Sequence, residues 1–196
     1  MKRWWSKRSG RQGDDLGERA QRLFGQGERE AALGLWREAA RGGDTSAAAR
    51  LVIECAADGK YDEALRWRAT AAEGGVPIAA HEPGVRLRDS GRQSAAEGWW
   101  RRAAEAENDD VCREHLGIAL RERGRPDEAE EWLRAGAERG HGGCARELAA
   151  LYVQRSKWAE GEQARQEHAS RALNWAQRAA VSGDAKARVM LLKLQK

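Results

Sequence analysis

The amino-acid sequence predicts an all-α protein: an α-solenoid of about five helix-turn-helix repeats, closed at the C-terminal end by one capping helix. Three observations predict it. Ala, Arg, Glu and Leu, all strong helix formers, dominate the 196 residues, while Phe occurs once, Tyr twice and Pro three times. One segment recurs along the chain at separations of 32, 32, 33 and 43 residues. Within each copy the small and apolar residues fall at helical spacing.

The copies align on LWREAARGG (35–43), WRATAAEGG (67–75), WWRRAAEAE (99–107), WLRAGAERG (132–140) and WAQRAAVSG (175–183). Their lead residues are Leu35, Trp67, Trp99, Trp132 and Trp175. Ala32, Ala64, Ala96, Ala129 and Ala172 stand three residues earlier. A small pair follows at four and five residues: Ala39–Ala40, Ala71–Ala72, Ala103–Ala104, Gly136–Ala137 and Ala179–Ala180. The spacing Ala-x-x-Trp-x-x-x-Ala sets these side chains on one helical stripe. This segment is therefore the second helix of each repeat, helix B. Its small residues admit a neighbouring helix and its indole fills the remaining groove. Gly27, Gly59, Gly91 and Gly124 lie eight residues before the lead, where a left-handed C-cap would end helix A.

Taken in order, the first repeat is degenerate, with Leu35 in the Trp position. The second has a helix-A stripe of Leu51, Val52 and Cys55. The third has Ile78, Val85 and Leu87, but places Pro83-Gly84 where the fourth has Leu116-Gly117. A mid-helix proline would kink helix A at a cost of about 3 kcal/mol; alternatively the helix is short and starts late, with Pro77 or Pro83 in its first turn. The fourth repeat continues with Leu120, and the fifth has Leu148, Ala149 and Tyr152. The fifth carries Glu167 in the glycine position and gains ten residues around RSKWAEGEQARQEH (155–168), a polar, helix-prone insertion that lengthens this hairpin. It serves either as a plain extension or as a partner contact. Asp184 to Lys196 reads as a last helix A.

The formal charge of +4 is uneven. Residues 1–13 hold Lys2, Arg3, Lys7, Arg8 and Arg11 without an acid, so the remainder sums to −1. The expected organisation is a basic, mobile tail (1–13) and a repeat domain (14–196). A near-neutral body of mixed sign does not suit a general nucleic-acid binder. In the tail, Lys2, Arg3, Trp4, Trp5, Lys7 and Arg8 suit an anionic membrane surface, at about 1 kcal/mol per basic residue, or nucleic acid, with indoles stacked on bases. A terminus that touches neither is the alternative. Cys55, Cys112 and Cys144 are odd in number and form no CxxC pair, which fits a reducing cytoplasm and a bacterial, Ala- and Arg-rich composition. No apolar run reaches the roughly 18–20 residues of a membrane span, and MKRWWSKRSG lacks the apolar stretch of a secretory signal.

Catalytic chemistry is not expected. His81, His115, His141 and His168 are scattered, with no HExxH and no zinc spacing to Cys. Cys112 and His115 share a helical face but have no orienting group, so a packed thiol beside a surface imidazole is the simpler reading. No phosphate-binding glycine loop is present. The expectation is a non-enzyme without metal or cofactor.

The order and spacing of Leu116-Gly117, Leu120, Ala129, Leu133 and Gly136 resembles the tetratricopeptide repeat. Ala145-x-x-Leu148-Ala149-x-Leu151-Tyr152, together with the Trp-x-x-x-Ala-Ala segments, looks like the Sel1-like branch of that superfamily. The resemblance spans about residues 16–196. It implies a right-handed superhelix whose concave wall, lined by helices A, holds a peptide or partner helix. In that register the groove positions include His81, Arg88, Glu114, Arg121 and Arg146. Arg88 and Arg121 match one another, so they would form a ladder for a carboxylate-bearing segment, or simply serve solubility. The Lys and Asn of the family's chaperone-tail clamp are missing from these positions. The resemblance thus implies a protein-interaction scaffold, with an adaptor recruited through its basic tail as the alternative.

Overall fold

The computed structural model describes residues 15–76 and 78–195. Among them are eleven helices and no strand. Five hairpins follow one another: α1 (15–25) with α2 (Arg29–Arg41), α3 (Thr45–Ala57) with α4 (Tyr61–Glu73), α5 (Glu82–Asp89) with α6 (Gln93–Glu107), α7 (Asp110–Glu122) with α8 (Pro126–Glu138), and α9 (Gly142–Trp158) with α10 (Glu162–Val181). Helix α11 (Ala185–Leu194) ends the series. The basic tail and its six candidate contact residues, like Pro77, lie outside the described residues. No described helix is long and apolar enough to cross a membrane.

Local chemistry sets the boundaries. Each expected turn glycine adopts positive φ, from Gly27 at 86° to Gly124 at 73°, a region a Cβ would disfavour. The fifth hairpin uses Gly161 at 85°, which Glu167 in the expected column had hidden. Helices B end in the same way, except that Asn108 at 55° replaces glycine after α6. Helices A open on a repeated cap that the sequence reading did not single out. Asp44, Asp109 and Asp184 accept from the backbone N–H three residues on, and His141 does the same through Nδ1.

Helix α5 is the exception. It is 8 residues long against 13 for α3 and α7, and Pro83 sits in its first turn. The proline starts the helix and does not kink one, because a first-turn N–H has no intrahelical partner to lose. The insertion in the fifth repeat lengthens both helices of the hairpin, to 17 residues in α9 and 20 in α10.

Burial corrects one detail of the stripe. The alanines three residues before each lead are all 0% exposed, as are Ala39, Ala71, Ala103 and Ala179 four residues after it. The residue between them on that seam is the one after the lead: Trp36, Trp100, Leu133 and Ala176 are buried. Trp99 and Trp175 are buried as well, but Leu35, Trp67 and Trp132 are only half-buried. Helical geometry explains this. At 3.6 residues per turn the lead and the next residue lie about 50° to either side of the alanine seam, and Ala40, Ala104 and Ala137, buried on the side of the next residue, turn the packed face that way. Helix A answers with Leu51, Val52 and Cys55, with Leu116 and Leu120, and with Leu148, Ala149 and Tyr152, each at most 1% exposed.

The chain divides between Trp99 and Trp100, inside α6, into two compact halves. In the first half Trp99 donates from Nε1 to the Ala80 carbonyl at 2.8 Å. In the second, Trp100 stacks on His115 with ring centroids 5.2 Å apart.

Candidate partner-binding faces

Arg146 forms the centre of the helix-A face in the second half. Its Nη2 donates to Glu114 Oε1 at 2.7 Å and its Nε to Asp184 Oδ2 at 3.0 Å, while Nη1 meets Glu147. Arg121 donates to the other Glu147 oxygen at 2.9 Å. Two guanidinium groups thus tie three carboxylates across α7, α9 and the cap of α11. Burial works against the Arg146 charge, but Glu147, Asp184 and Glu114 outweigh it and hold its pKa above the ordinary value. Burial raises the Glu114 carboxyl despite Arg146 and His141. Asp184 is lowered: burial opposes its charge, and the Ala187 N–H and Arg146 overcome that opposition. His141 Nδ1 accepts from the Cys144 N–H at 3.1 Å, which leaves the ring proton on Nε2.

Three of the five expected groove residues therefore come together: Arg146 binds Glu114, and Arg121 joins them through Glu147. Arg88 lies in the first half, where it pairs with neighbouring Asp89 at 3.0 Å. His81 occupies the cap position of α5 without a side-chain cap bond. The thiols are packing groups: Cys55, Cys112 and Cys144 are buried and not disulfide-bonded. Burial pushes the Cys55 thiol up to about 11 and raises Cys144 further, and the Cys144 thiol faces the Asp110 carbonyl at 3.3 Å. A thiol held protonated in this way is a poor nucleophile.

The first half presents a different face. Two concavities of about 450 and 490 Å³ lie along α3 and share Ser46 and Arg50. Glu18, Gln21 and Asp44 line one, and Ala49, Ile53, Val76 and Ile78 line much of the other. Arg50 lies over the rings of Trp36 and Phe24, 5.5 and 6.0 Å from their centroids, and donates to Gln21 Oε1 at 3.1 Å. Among the described residues no carboxylate lies within ion-pair distance of it. Its neighbour Arg86 is matched by Glu82 at 2.6 Å. Sequence reasoning missed Arg50 because its register is one residue beyond Glu114 and Arg146. The signal was present in the cap: Arg50 and His115 both stand six residues after a capping aspartate, and each stacks on the indole that follows the lead.

The tetratricopeptide repeat model matches residues 111–139, essentially the α7–α8 hairpin. The match identifies that hairpin as a tetratricopeptide repeat. Repeats of this kind build protein-interaction scaffolds. Among solved structures, the chain is similar to YrrB, a TPR protein with an unusual peptide-binding site, at 21% identity over 91% of this chain and 90% of that one, with a TM-score of 0.48. It is also similar to a Sel1 repeat protein from Oxalobacter formigenes, at 22% identity over 90% and 74% with a TM-score of 0.48. Pseudomonas aeruginosa pilF overlaps at 16% identity over 96% and 84%, with a TM-score of 0.49. No curated protein matches the sequence.

Proposed function

We propose that the chain is a non-enzymatic scaffold that holds a peptide segment of a partner protein along α3, with Arg50 as the anchor for a carboxylate. The observation that carries this reading is the guanidinium that has two aromatic supports, no acid within ion-pair distance among the described residues, and a concavity on either side. Ring stacking limits the motion of the side chain before a ligand arrives, so less conformational entropy is lost on binding. The surroundings order the ligand. An apolar side chain suits Ile53, Val76 and Ile78, an acid suits Arg50, and a hydrogen-bond donor suits Glu18 and Asp44.

A phage-displayed peptide library selected on the purified chain tests this directly. Selected peptides should share an apolar residue followed by Asp or Glu, and Arg50→Glu should weaken them at least about tenfold, since a charge-assisted hydrogen bond contributes roughly 1.5–3 kcal/mol. Selected peptides that bind wild type and Arg50→Glu equally would remove Arg50 from the site.

A further inference from the structure

Helix α11 opens as a helix A does, with Asp184 in the cap position, yet among the described residues no helix B covers it. Equivalent positions can be counted from the cap. The eighth residue after it is Val52 in α3, Gly117 in α7 and Ala149 in α9, all buried. In α7 this position meets the partner helix B: a Cβ on Gly117 would stand 2.4 Å from Leu133 Cγ of α8. In α11 the same position is Leu192, 65% exposed. One turn earlier, the fourth residue is Ala48, Arg113 or Ala145 in the other three helices, again buried. Where it is Arg113, Asp110 one turn before supplies the counter-charge at 2.6 Å. In α11 it is Arg188, Ala185 replaces that acid, and no carboxylate pairs with Arg188 among the described residues. Lys186 and Lys193 are exposed on the other flank of the Ala185–Val189–Leu192 stripe, and α11 contains no acid.

We infer that α11 receives an acidic amphipathic helix of a partner protein, seated where a helix B would lie. The apolar stripe supplies the contact and Arg188 selects the charge. A second copy of α11 fits poorly, because it would set basic flanks against basic flanks. One of the chain's own helices B, α8, shows the required pattern. The α8 sequence PDEAEEWLRAGAE has five acids and one base around its seam. Leu192 is larger than Gly117, so the docking helix needs a small residue opposite it, in the Leu133 position.

The probe is a synthetic peptide of Pro126–Glu138 carrying Leu133→Ala, compared with a copy whose five acids are changed to Lys. Fluorescence anisotropy against the full chain should show saturable binding of the acidic peptide only. Leu192→Glu, at an exposed position, should weaken it at least tenfold with an unchanged melting temperature, and Arg188→Glu should reverse the preference between the peptides. Equal binding of both peptides, or binding of neither, overturns the inference. So does a dimer in sedimentation that Leu192→Glu dissolves, or Leu192-dependent binding to phosphatidylserine vesicles with no peptide binding.

Discussion

The helix-A faces of the two halves use one framework in opposite ways. In the second half Arg146 meets Glu114, Glu147 and Asp184, and the face is tied shut by its own charges. In the first half Arg50 meets an amide and two rings, and concavities flank it. The repeat determines the alanine seam, the turn glycine and the cap. It leaves the fifth and sixth residues after the cap undetermined: at the sixth, Arg50 and His115 lie against a seam indole, whereas Glu147 pairs with Arg121 and Arg146. A change there alters what the face can hold while the alanine seam stays the same.

Substitution in the seam itself should have the largest effect and should be blind to this difference. Trp100 is 1% exposed and stacks on His115. Trp100→Ala should cost about 3–5 kcal/mol in urea unfolding. Trp132, half-buried under the Arg101 guanidinium at 5.4 Å, should cost about 1–2 kcal/mol on the same change. Equal costs would mean that the lead position, not the one after it, lies on the seam.

The next effects separate the halves. Arg146→Ala leaves three carboxylates facing one another with Arg121 on Glu147 and the His141 ring beside Glu114, and should cost about 2–3 kcal/mol, less than a fully buried pair because the site is partly wet. Arg50→Ala breaks no ion pair and should cost under about 1 kcal/mol, yet abolish peptide capture. If the two substitutions destabilise equally, the contrast between a closed and an open face is lost.

Much of this was legible in the sequence. The period, the turn glycines and the helix count follow from spacing and backbone chemistry, which are local; at Pro83 the sequence leaves a kink and a late start both open, and the structure has the late start. The Trp132 seam position was misjudged because a stripe at i, i+3, i+7 and one at i, i+4, i+7 differ by a single residue. Arg121 and Arg146 read as free groove residues because their partner Glu147 lies 26 and one residues away, and only packing of α7 on α9 shows that one carboxylate serves both. Arg50 was passed over for the converse reason. Nothing in its neighbourhood reveals that Glu18 of α1 and Glu82 of α5 line the flanking concavities without coming within ion-pair distance of it until those helices are in place.

The smallest effect probes the closed face by pH. Burial raises the Glu114 carboxyl above its ordinary 4.5, so just above that value the folded chain holds a proton the unfolded chain has released. Stability from this group therefore falls as pH rises through that window, and its deficit is complete once pH exceeds the raised native value. Asp184 has the opposite sign. Its lowered pKa stabilises the fold above the ordinary 3.8 and that contribution is lost as pH falls. Glu114→Gln removes the first dependence and keeps the second, while its amide oxygen can still accept from Arg146. The variant should gain on wild type between pH 4.5 and 7, by a small margin readable in paired urea titrations, with the acid limb unchanged. A variant that instead loses ground over that range would show that Arg146 holds Glu114 ionised more strongly than burial opposes it.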